Sequence, residues 1–359
     1  MNDASFWRAT WRRLKRNKGA VAGLFLICIA VFLAVFGYFL APDNSPYANR
    51  IILEIGGQKP GFTQQFLQVK REAVPQSSFF KQAFTGRQEP YESLPISSWQ
   101  QQGDSIIVQK FIDEGVTERM GFLKSNLAST PVIKKTFWLG TDKYGRDILS
   151  RLIIGTRVSL SVGLVTVLIS LSLGIFLGAI AGYFRGRWDD VIMWLINVIW
   201  SIPTLLLVFA ITLLLGKGFW QVFIAVGLTM WVNVARLVRG QVLAARELQY
   251  IEAARVLGFS NTRIIVHHLL PNILGPILVI AASNFASAIV IEAGLSFLGV
   301  GVQPPQPSWG LMIKENYNFI ITQNPALALA PGIAIMLLVL AFNLLGNGLR
   351  DALNVRGKL

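Results

Sequence analysis

The chain has 359 residues, of which 53% are hydrophobic and 14% are charged, against about 25% charged residues in an average soluble protein. This shortage of charge argues against an ordinary soluble domain and favours a protein with several membrane spans. Cys28 is the single cysteine, so an intrachain disulfide and a cysteine-built metal site are excluded. The two histidines are too few for most metal centres.

The first predicted elements are a basic tail and an apolar helix. Residues 1–19 are rich in Arg and Lys, with Asp3 as the only acid, and residues 20–41 form a continuous apolar run. This run is longer than the roughly 7–15 residues of a signal-peptide core. We therefore predict a cytoplasmic tail over 1–19 and an uncleaved first transmembrane helix over 20–41.

A long segment of mixed composition, residues 42–157, follows the first span. Glycines and prolines interrupt it, while its Phe and Trp side chains are numerous enough for a small core. Before residue 135, only the stretch around 105–123 shows an amphipathic-looking pattern. We predict a small extracytoplasmic domain, α/β or irregular, and a partly ordered insertion remains the alternative.

Five further apolar runs predict a membrane core over residues 158–348, followed by a cytoplasmic tail over 349–359. With the first span they give an all-α fold of six transmembrane helices, with the extracytoplasmic insert between the first two. The core spans are predicted at 158–184, 191–215, 219–234, 273–302 and 327–347. Prolines at 203, 276 and 331 can bend or begin three of them.

The net charge of +14 fits membrane topology better than nucleic-acid binding. Basic residues of the short connections gather in the predicted inner segments, whereas the two short outer loops hold only Lys217 and Lys314. A nucleic-acid-binding protein would instead gather its positive charge on one soluble face. The asymmetry predicts that both termini are cytoplasmic.

Gly174, Gly178 and Gly182 recur every four residues in the second span and therefore share one helical face. Such a face allows close approach of another helix, either from this chain or from a partner.

Glu292 is the one acid within the predicted spans. We favour a hydrogen bond from its side chain to a helix end or loop over direct contact with a substrate. The spans lack the midplane ionisable groups of ion-coupled transporters, and the chain lacks a phosphate-binding Gly-x-x-x-x-Gly-Lys-Ser/Thr loop.

The most informative stretch lies in the predicted inner loop, residues 236–272. Helix-forming residues lead to Gly258, which can take the left-handed conformation that ends a helix, and Ser260 or Asn261 can cap the next helix. The two alanines upstream of the glycine would give a surface on which another protein can dock closely. An ordinary solvated surface helix is the alternative.

This stretch resembles the cytoplasmic signature of bacterial ABC importer permeases. The residues concerned are Glu252, Ala253, Ala254, Arg255, Gly258, Leu270 and Pro271. The resemblance implies a helix that fits a cleft of a partner ATPase and transmits its closure to the spans. His268 occupies a position that is often apolar in the family, and we interpret both histidines as docking or solvated residues.

A second motif, residues 139–152, precedes the second span. Its candidate residues at the outer entry are Gly140, Thr141, Asp142, Gly145, Arg146 and Asp147. Apolar side chains on one face predict a helix that lies at the outer membrane surface and leads into the span, capped by Thr141 or Asp142. A helix packed on the outer domain is the alternative.

Together with residues 292–299, 304–310 and 342–351, this motif resembles the C-type permease of dipeptide and oligopeptide ABC importers. The resemblance implies a bacterial inner-membrane subunit that forms half of a pore for short peptides, with nickel and glutathione as rival cargoes. The implied partners are a B-type permease, two ATPase subunits that hold ATP and magnesium, a solute-binding protein and membrane lipid.

The chain itself is then expected to be non-catalytic and to bind no cofactor, metal or nucleic acid. Two other classes remain as alternatives. A secondary transporter or channel would need midplane polar groups, and a membrane-anchored sensor would leave the inner motif unexplained.

Overall fold

The computed structural model describes residues 3–71, 78–216, 218–321 and 324–353. Lys217 and residues 354–359 of the predicted tail lie outside this part. The described chain forms two compact units. The first comprises Met1–Ala30, Ser159–Gln303 and Ile335–Leu359, and the second comprises Val31–Val158 and Pro304–Ala334.

Five helices are long and apolar enough to cross a membrane. They are α2 (Lys18–Leu40), α4 (Ile148–Phe184), α7 (Phe219–Ala245), α11 (Leu274–Leu298) and α13 (Ala326–Leu353). A bent pair, α5 (Gly186–Trp200) and α6 (Thr204–Leu215), provides a sixth span if it is counted as one. The shorter helices are α1 (Asp3–Arg16), α3 (Phe79–Thr85), α8 (Gln249–Val256), α9 (Asn261–Arg263), α10 (Leu270–Asn272) and α12 (Trp309–Asn316).

The predicted third span is two helices that meet at 92°. Pro203 has an extended conformation and directly precedes α6. Because proline has no N–H to donate and disfavours a helical residue before it, the helix ends here and a new one begins.

Several helices are longer than the sequence predicts. The second span begins at Ile148 instead of 158, α7 continues through Ala245 into the predicted inner loop, and α13 continues to Leu353 through the start of the predicted tail. The apolar runs end at the first charged residues, whereas the helices continue past them. Long basic side chains allow this because their charged ends can reach water from a helix.

In the first unit, the glycine face of α4 packs against α7. A Cβ atom at Gly178 would lie 2.5 Å from the Ala235 carbonyl oxygen, and one at Gly182 would lie 2.8 Å from that of Arg239. A Cβ atom at Gly174 would lie 2.8 Å from the Trp231 carbonyl oxygen and would also overlap the Val234 side chain. The neighbouring helix therefore belongs to this chain, and close backbone contact explains the spacing of the glycines.

The second unit contains an antiparallel five-stranded sheet of order β4-β3-β2-β1-β5. Its strands are β1 (Phe62–Lys70), β2 (Tyr91–Gln102), β3 (Ser105–Asp113), β4 (Val116–Leu123) and β5 (Leu127–Phe137). The all-α prediction concerns the membrane helices, whereas this segment, for which the sequence predicts an α/β or irregular domain, contains the sheet and the short helix α3. The amphipathic stretch near 105–123 is the β3–β4 hairpin, whose alternating residues face opposite sides of the sheet.

Both faces of the sheet carry apolar clusters. One cluster is centred on Leu67 and Val108, and the other joins Phe66 and Phe137 to Ile52 and Ile55 from the segment after α2. Burial on both faces blurs the simple alternation by which a half-exposed strand is identified from sequence.

Candidate functional site

The inner motif forms a short exposed helix, α8, with a defined end. Gly258 has φ 75°, and its N–H donates to the Arg255 carbonyl at 2.9 Å. The hydroxyl of Ser260 accepts from the Arg263 N–H at 3.4 Å and caps α9. Asn261, the other predicted cap, instead accepts a hydrogen bond from the Tyr183 hydroxyl at 2.8 Å.

The two faces of α8 differ in burial. Ile251 and Ala254 are buried in an apolar core with residues of α7 and α11, whereas Val256 and Leu257 are 84% and 72% exposed. Exposed residues of the motif are Glu252, Ala253, Arg255, Gly258 and Pro271. The prediction that Ala254 belongs to the docking surface is therefore wrong, because the helical phase turns it inward.

The segment after α9 completes the inner surface. Ile264–Leu269 is a π-helical turn, and half-buried Leu270 packs against the same core as Ala254. His268 stacks on Phe259 with ring centroids 5.7 Å apart. Its contacts are those of a surface residue, and no group of three metal-ligating side chains occurs in the described residues.

The outer motif is a buried turn. The Asp142 carboxylate accepts hydrogen bonds from the N–H groups of Tyr144 at 2.9 Å and Arg146 at 3.0 Å. Gly140 and Gly145 have φ of 79° and 72°, and a Cβ at either position would overlap a backbone carbonyl. Only glycine fits these two positions.

An ion-pair network holds the outer motif in place. The Arg146 guanidinium lies 2.6 Å from Asp142 and 2.6 Å from Glu315 on α12, and it donates to Asn49 at 3.0 Å. Arg151 lies 3.4 Å from the same Glu315 carboxylate. The motif thus joins the segment after α2, the start of α4 and α12 within the second unit.

Asp147, and not Thr141 or Asp142, caps α4. Its carboxylate accepts from the Ser150 N–H at 2.9 Å and from the Ser150 hydroxyl. Thr141 is occupied by the segment after α2, since it accepts from the Gln58 N–H at 3.0 Å. Burial raises the pKa of Asp147, and the hydrogen bonds from Ser150 act in the opposite direction.

The start of α4 is not an interfacial helix. Ile148, Ser150 and Arg151 are all fully buried or nearly so, although they point in different directions around the helix. A surface-lying helix would keep one face open to water or lipid. The start of α4 is therefore a packed helix, which was the alternative to a helix lying on the membrane surface.

A cavity of about 400 Å³ lies among the helices of the first unit. Its polar lining consists of Thr204, Thr229, Asn233, Ser287 and Asn343. No described residue that lines it is ionisable. Trp200, at the end of α5, also lines it and donates its indole N–H to Asn233 at 3.1 Å. Sequence reasoning missed this cavity, because it depends on how five separate helices pack.

Glu292 is buried in α11, and its carboxylate accepts a hydrogen bond from the Ser296 hydroxyl at 2.6 Å. Ser296 in turn accepts from the Val302 N–H at 3.0 Å. The side chain therefore supports the loop after α11, as the sequence predicts.

These features define a multi-pass membrane protein with a polar cavity among its helices and an exposed short helix, α8. Residues 174–357 match the family described as the binding-protein-dependent transport system inner membrane component. Residues 5–57 match the N-terminal transmembrane domain of oligopeptide transport permease C. The chain belongs to the binding-protein-dependent transport family, so it is a permease subunit of an ABC importer, a class of subunit that is not itself catalytic.

Curated relatives agree with this assignment. The glutathione transport system permease protein GsiD of Pectobacterium atrosepticum is 43% identical over 62% of this chain and 73% of its own length. The dipeptide transport system permease protein DppC of Bacillus subtilis is 32% identical over 98% of this chain and 86% of its own length. The alignment with DppC includes most of the segment between α2 and α4. The family motifs in the sequence do not cover this segment.

A solved structure of the MetNI methionine ABC transporter is also similar, with 19% identity and a TM-score of 0.48. The match covers 58% of this chain and 98% of that chain.

Proposed function

We propose that this permease forms one half of a translocation pore for short peptides. The observation that carries the proposal is the cavity lined by Thr204, Thr229, Asn233, Ser287 and Asn343. Hydroxyl and carboxamide groups can donate and accept hydrogen bonds with peptide groups. An uncharged lining also avoids a strong preference for one side-chain charge, which suits cargoes that share a backbone and differ in side chains.

The names of the relatives support the same cargo class. Two relatives are named dipeptide permeases and another an oligopeptide permease, and glutathione, named for the GsiD proteins, is itself a small peptide. Nickel remains a rival cargo, which competition by a nickel chelate tests.

The exposed end of α8 is our candidate for the ATPase contact. Val256 and Leu257 are apolar and open to solvent, beside exposed Glu252 and Arg255. A small apolar patch with charged neighbours is typical of a protein interface. Closure of the ATPase would push on α8, whose buried residues Ile251 and Ala254 contact the core formed with α7 and α11.

The complete importer in this proposal lies in the bacterial inner membrane. It contains a B-type permease, two ATPase subunits that hold ATP and magnesium, and an extracytoplasmic solute-binding protein. Both termini and α8 are cytoplasmic, and the sheet that follows α2 is extracytoplasmic. In this proposal the present chain contributes one half of the pore and the coupling surface and holds no cofactor of its own.

Uptake of a labelled dipeptide into proteoliposomes that contain the co-purified complex tests this proposal. We expect uptake that requires ATP and the binding protein, and no uptake with this chain alone. ATP-independent uptake by the chain alone would identify a secondary transporter or channel instead. Unlabelled glutathione and a nickel chelate, added as competitors, rank the rival cargoes.

A single substitution tests whether the lining of the cavity contributes to peptide transport. Asn343→Leu removes one carboxamide from the lining, and we expect at least a tenfold loss of dipeptide uptake with an intact complex. Asn347→Leu, one helical turn along α13 and outside the lining, is the matched control. Equal uptake by the two variants would remove the cavity from the proposed peptide route.

A further inference from the structure

The second unit contains a smaller cavity of about 170 Å³ that transport does not explain. It lies between one face of the sheet and the outer motif. Its walls combine charged and aromatic groups, including Asp43, Arg50, Lys135, Asp147, Phe66 and Phe137. Arg50 and Asp43 are paired with one another, so the informative charged groups are the other two, Lys135 and Asp147.

Lys135 is an unexpected residue for its position. It lies on β5 between Ile133 and Phe137, whose side chains belong to the apolar cluster on that face of the sheet. Burial lowers the pKa of its ammonium group, and the charge of Arg50 lowers it further. The charges of Glu89, Asp43 and Asp147 raise the same pKa, but among the described residues none lies within hydrogen-bond or ion-pair distance of the ammonium group. Lys135 is half-buried, and a partly desolvated cation without a partner costs free energy, so an anionic ligand would stabilise it.

Asp147 provides a matching group of opposite charge. The residue is only 5% exposed, and one carboxylate oxygen is used to cap α4 through Ser150. The other oxygen, Oδ1, is buried without a partner. Because a buried carboxylate oxygen without a donor costs free energy, this atom also needs a ligand.

The remaining charged groups of the cavity are satisfied by each other. Arg50 lies 2.6 Å from Glu89 and 3.4 Å from Asp43. Asp43 additionally accepts from the Ser45 N–H at 3.1 Å. Among the described residues, the cavity therefore presents one free ammonium group and one free carboxylate oxygen.

We propose that this cavity binds a free α-amino acid about the size of alanine or serine. Its carboxylate would pair with Lys135, its ammonium group would donate to Asp147 Oδ1, and its small side chain would contact Phe66 or Phe137. The volume is suitable, since a cavity of about 150 Å³ accommodates benzene, and alanine has a similar number of heavy atoms. This site is separate from the cavity in the first unit and does not depend on which cargo the importer carries.

Equilibrium dialysis of labelled L-alanine against the purified full-length chain in nanodiscs tests the site. We expect saturable binding at one site per chain. Acetate and methylammonium each satisfy only one end of the cavity, so they should compete at least tenfold more weakly than serine. No saturable binding, or competition by acetate equal to that by serine, would overturn the proposal; the second result would identify a simple anion site.

Two substitutions with matched controls test the assigned partners. Lys135→Met should weaken alanine binding at least tenfold, whereas Lys134→Met, the exposed neighbour paired with Gln65, should leave it unchanged. Asp147→Asn keeps an oxygen for Ser150 and removes the charge, and it should also weaken binding at least tenfold. Exposed Asp113→Asn is its control.

A thermal unfolding measurement separates loss of the ligand site from loss of the fold. Because Lys135→Met removes a half-buried charge that has no ion-pair partner, the variant should unfold at the same or a higher temperature than the unmodified chain without alanine. Added alanine should raise the unfolding temperature of the unmodified chain and not that of the variant. An equal shift in both proteins would contradict the assignment of Lys135.

Discussion

The outer and inner motifs are equally easy to identify in the sequence, yet the structure gives them opposite environments. In the outer motif, Asp142, Arg146 and Asp147 are almost completely buried and bonded to one another or to neighbouring segments. In the inner motif, Val256 and Leu257 are mostly exposed. The first motif therefore maintains the fold of its own unit, whereas the second is available to a partner.

The contrast teaches that a recognisable motif identifies a family without stating what its residues do. Two glycines make the point. Gly145 and Gly258 have φ of 72° and 75°, but a Cβ at Gly145 would overlap the Ile52 carbonyl, while a Cβ at Gly258 would meet nothing within 4 Å. Both glycines have the same backbone conformation, so the atoms packed around each of them distinguish a structural position from an exposed one.

Arg146→Met should produce the largest loss of stability. The substitution keeps most of the side-chain length but removes the nearer of the two buried cations that Asp142 and Glu315 share, the other being Arg151 at 3.8 and 3.4 Å. Removal of one partner of a buried ion pair costs about 3–5 kcal/mol. The apparent unfolding temperature in detergent, followed by tryptophan fluorescence, measures this loss. Lys143→Met, at an exposed position in the same motif, is the control and should behave like the unmodified chain.

The two glycines give an intermediate effect and a direct comparison. Gly258→Ala should cost about 1–2 kcal/mol, the strain of a left-handed conformation. Gly145→Ala should cost clearly more, because the clash with Ile52 is added to a similar strain. Equal unfolding temperatures for the two variants would mean that the outer turn is less rigidly packed than the contacts indicate.

Val256→Asp should have the smallest effect on stability and a large effect on transport. A substitution at an exposed position away from the core changes stability by about 0.5 kcal/mol or less, while a buried charge at a protein interface opposes association. We expect a normal unfolding temperature together with at least a tenfold loss of ATP-dependent uptake. A destabilised variant would instead assign Val256 to the core of its own unit.

Much of the membrane part could be predicted from sequence, because its signals are local. Apolar runs indicated every span, and the conformational freedom of Gly258 predicted the end of α8. Helix limits were less accurate, since a helix such as α7 continues after its apolar run ends. The burial of Ala254 depends on the rotation of α8 against its neighbours, which no local pattern contains.

The sheet and the cap of α4 illustrate what sequence could not provide. In β5, Lys134 and Lys135 are adjacent, but one is exposed and the other faces the apolar cluster. Thr141 and Asp142 were plausible caps by residue type, yet both are engaged in the preceding turn. Asp147 therefore takes that role, through contacts that only the folded chain brings together.

Cysteine cross-linking in the assembled importer tests the central claim most directly. In a Cys28→Ser background, Val256→Cys introduces a single thiol at the exposed end of α8, and Lys143→Cys introduces one in the outer motif. We predict that Val256→Cys forms a cross-link to the ATPase subunit and that Lys143→Cys does not. Absence of the Val256→Cys cross-link, or labelling of that cysteine by an impermeant reagent from outside intact cells, would contradict the account.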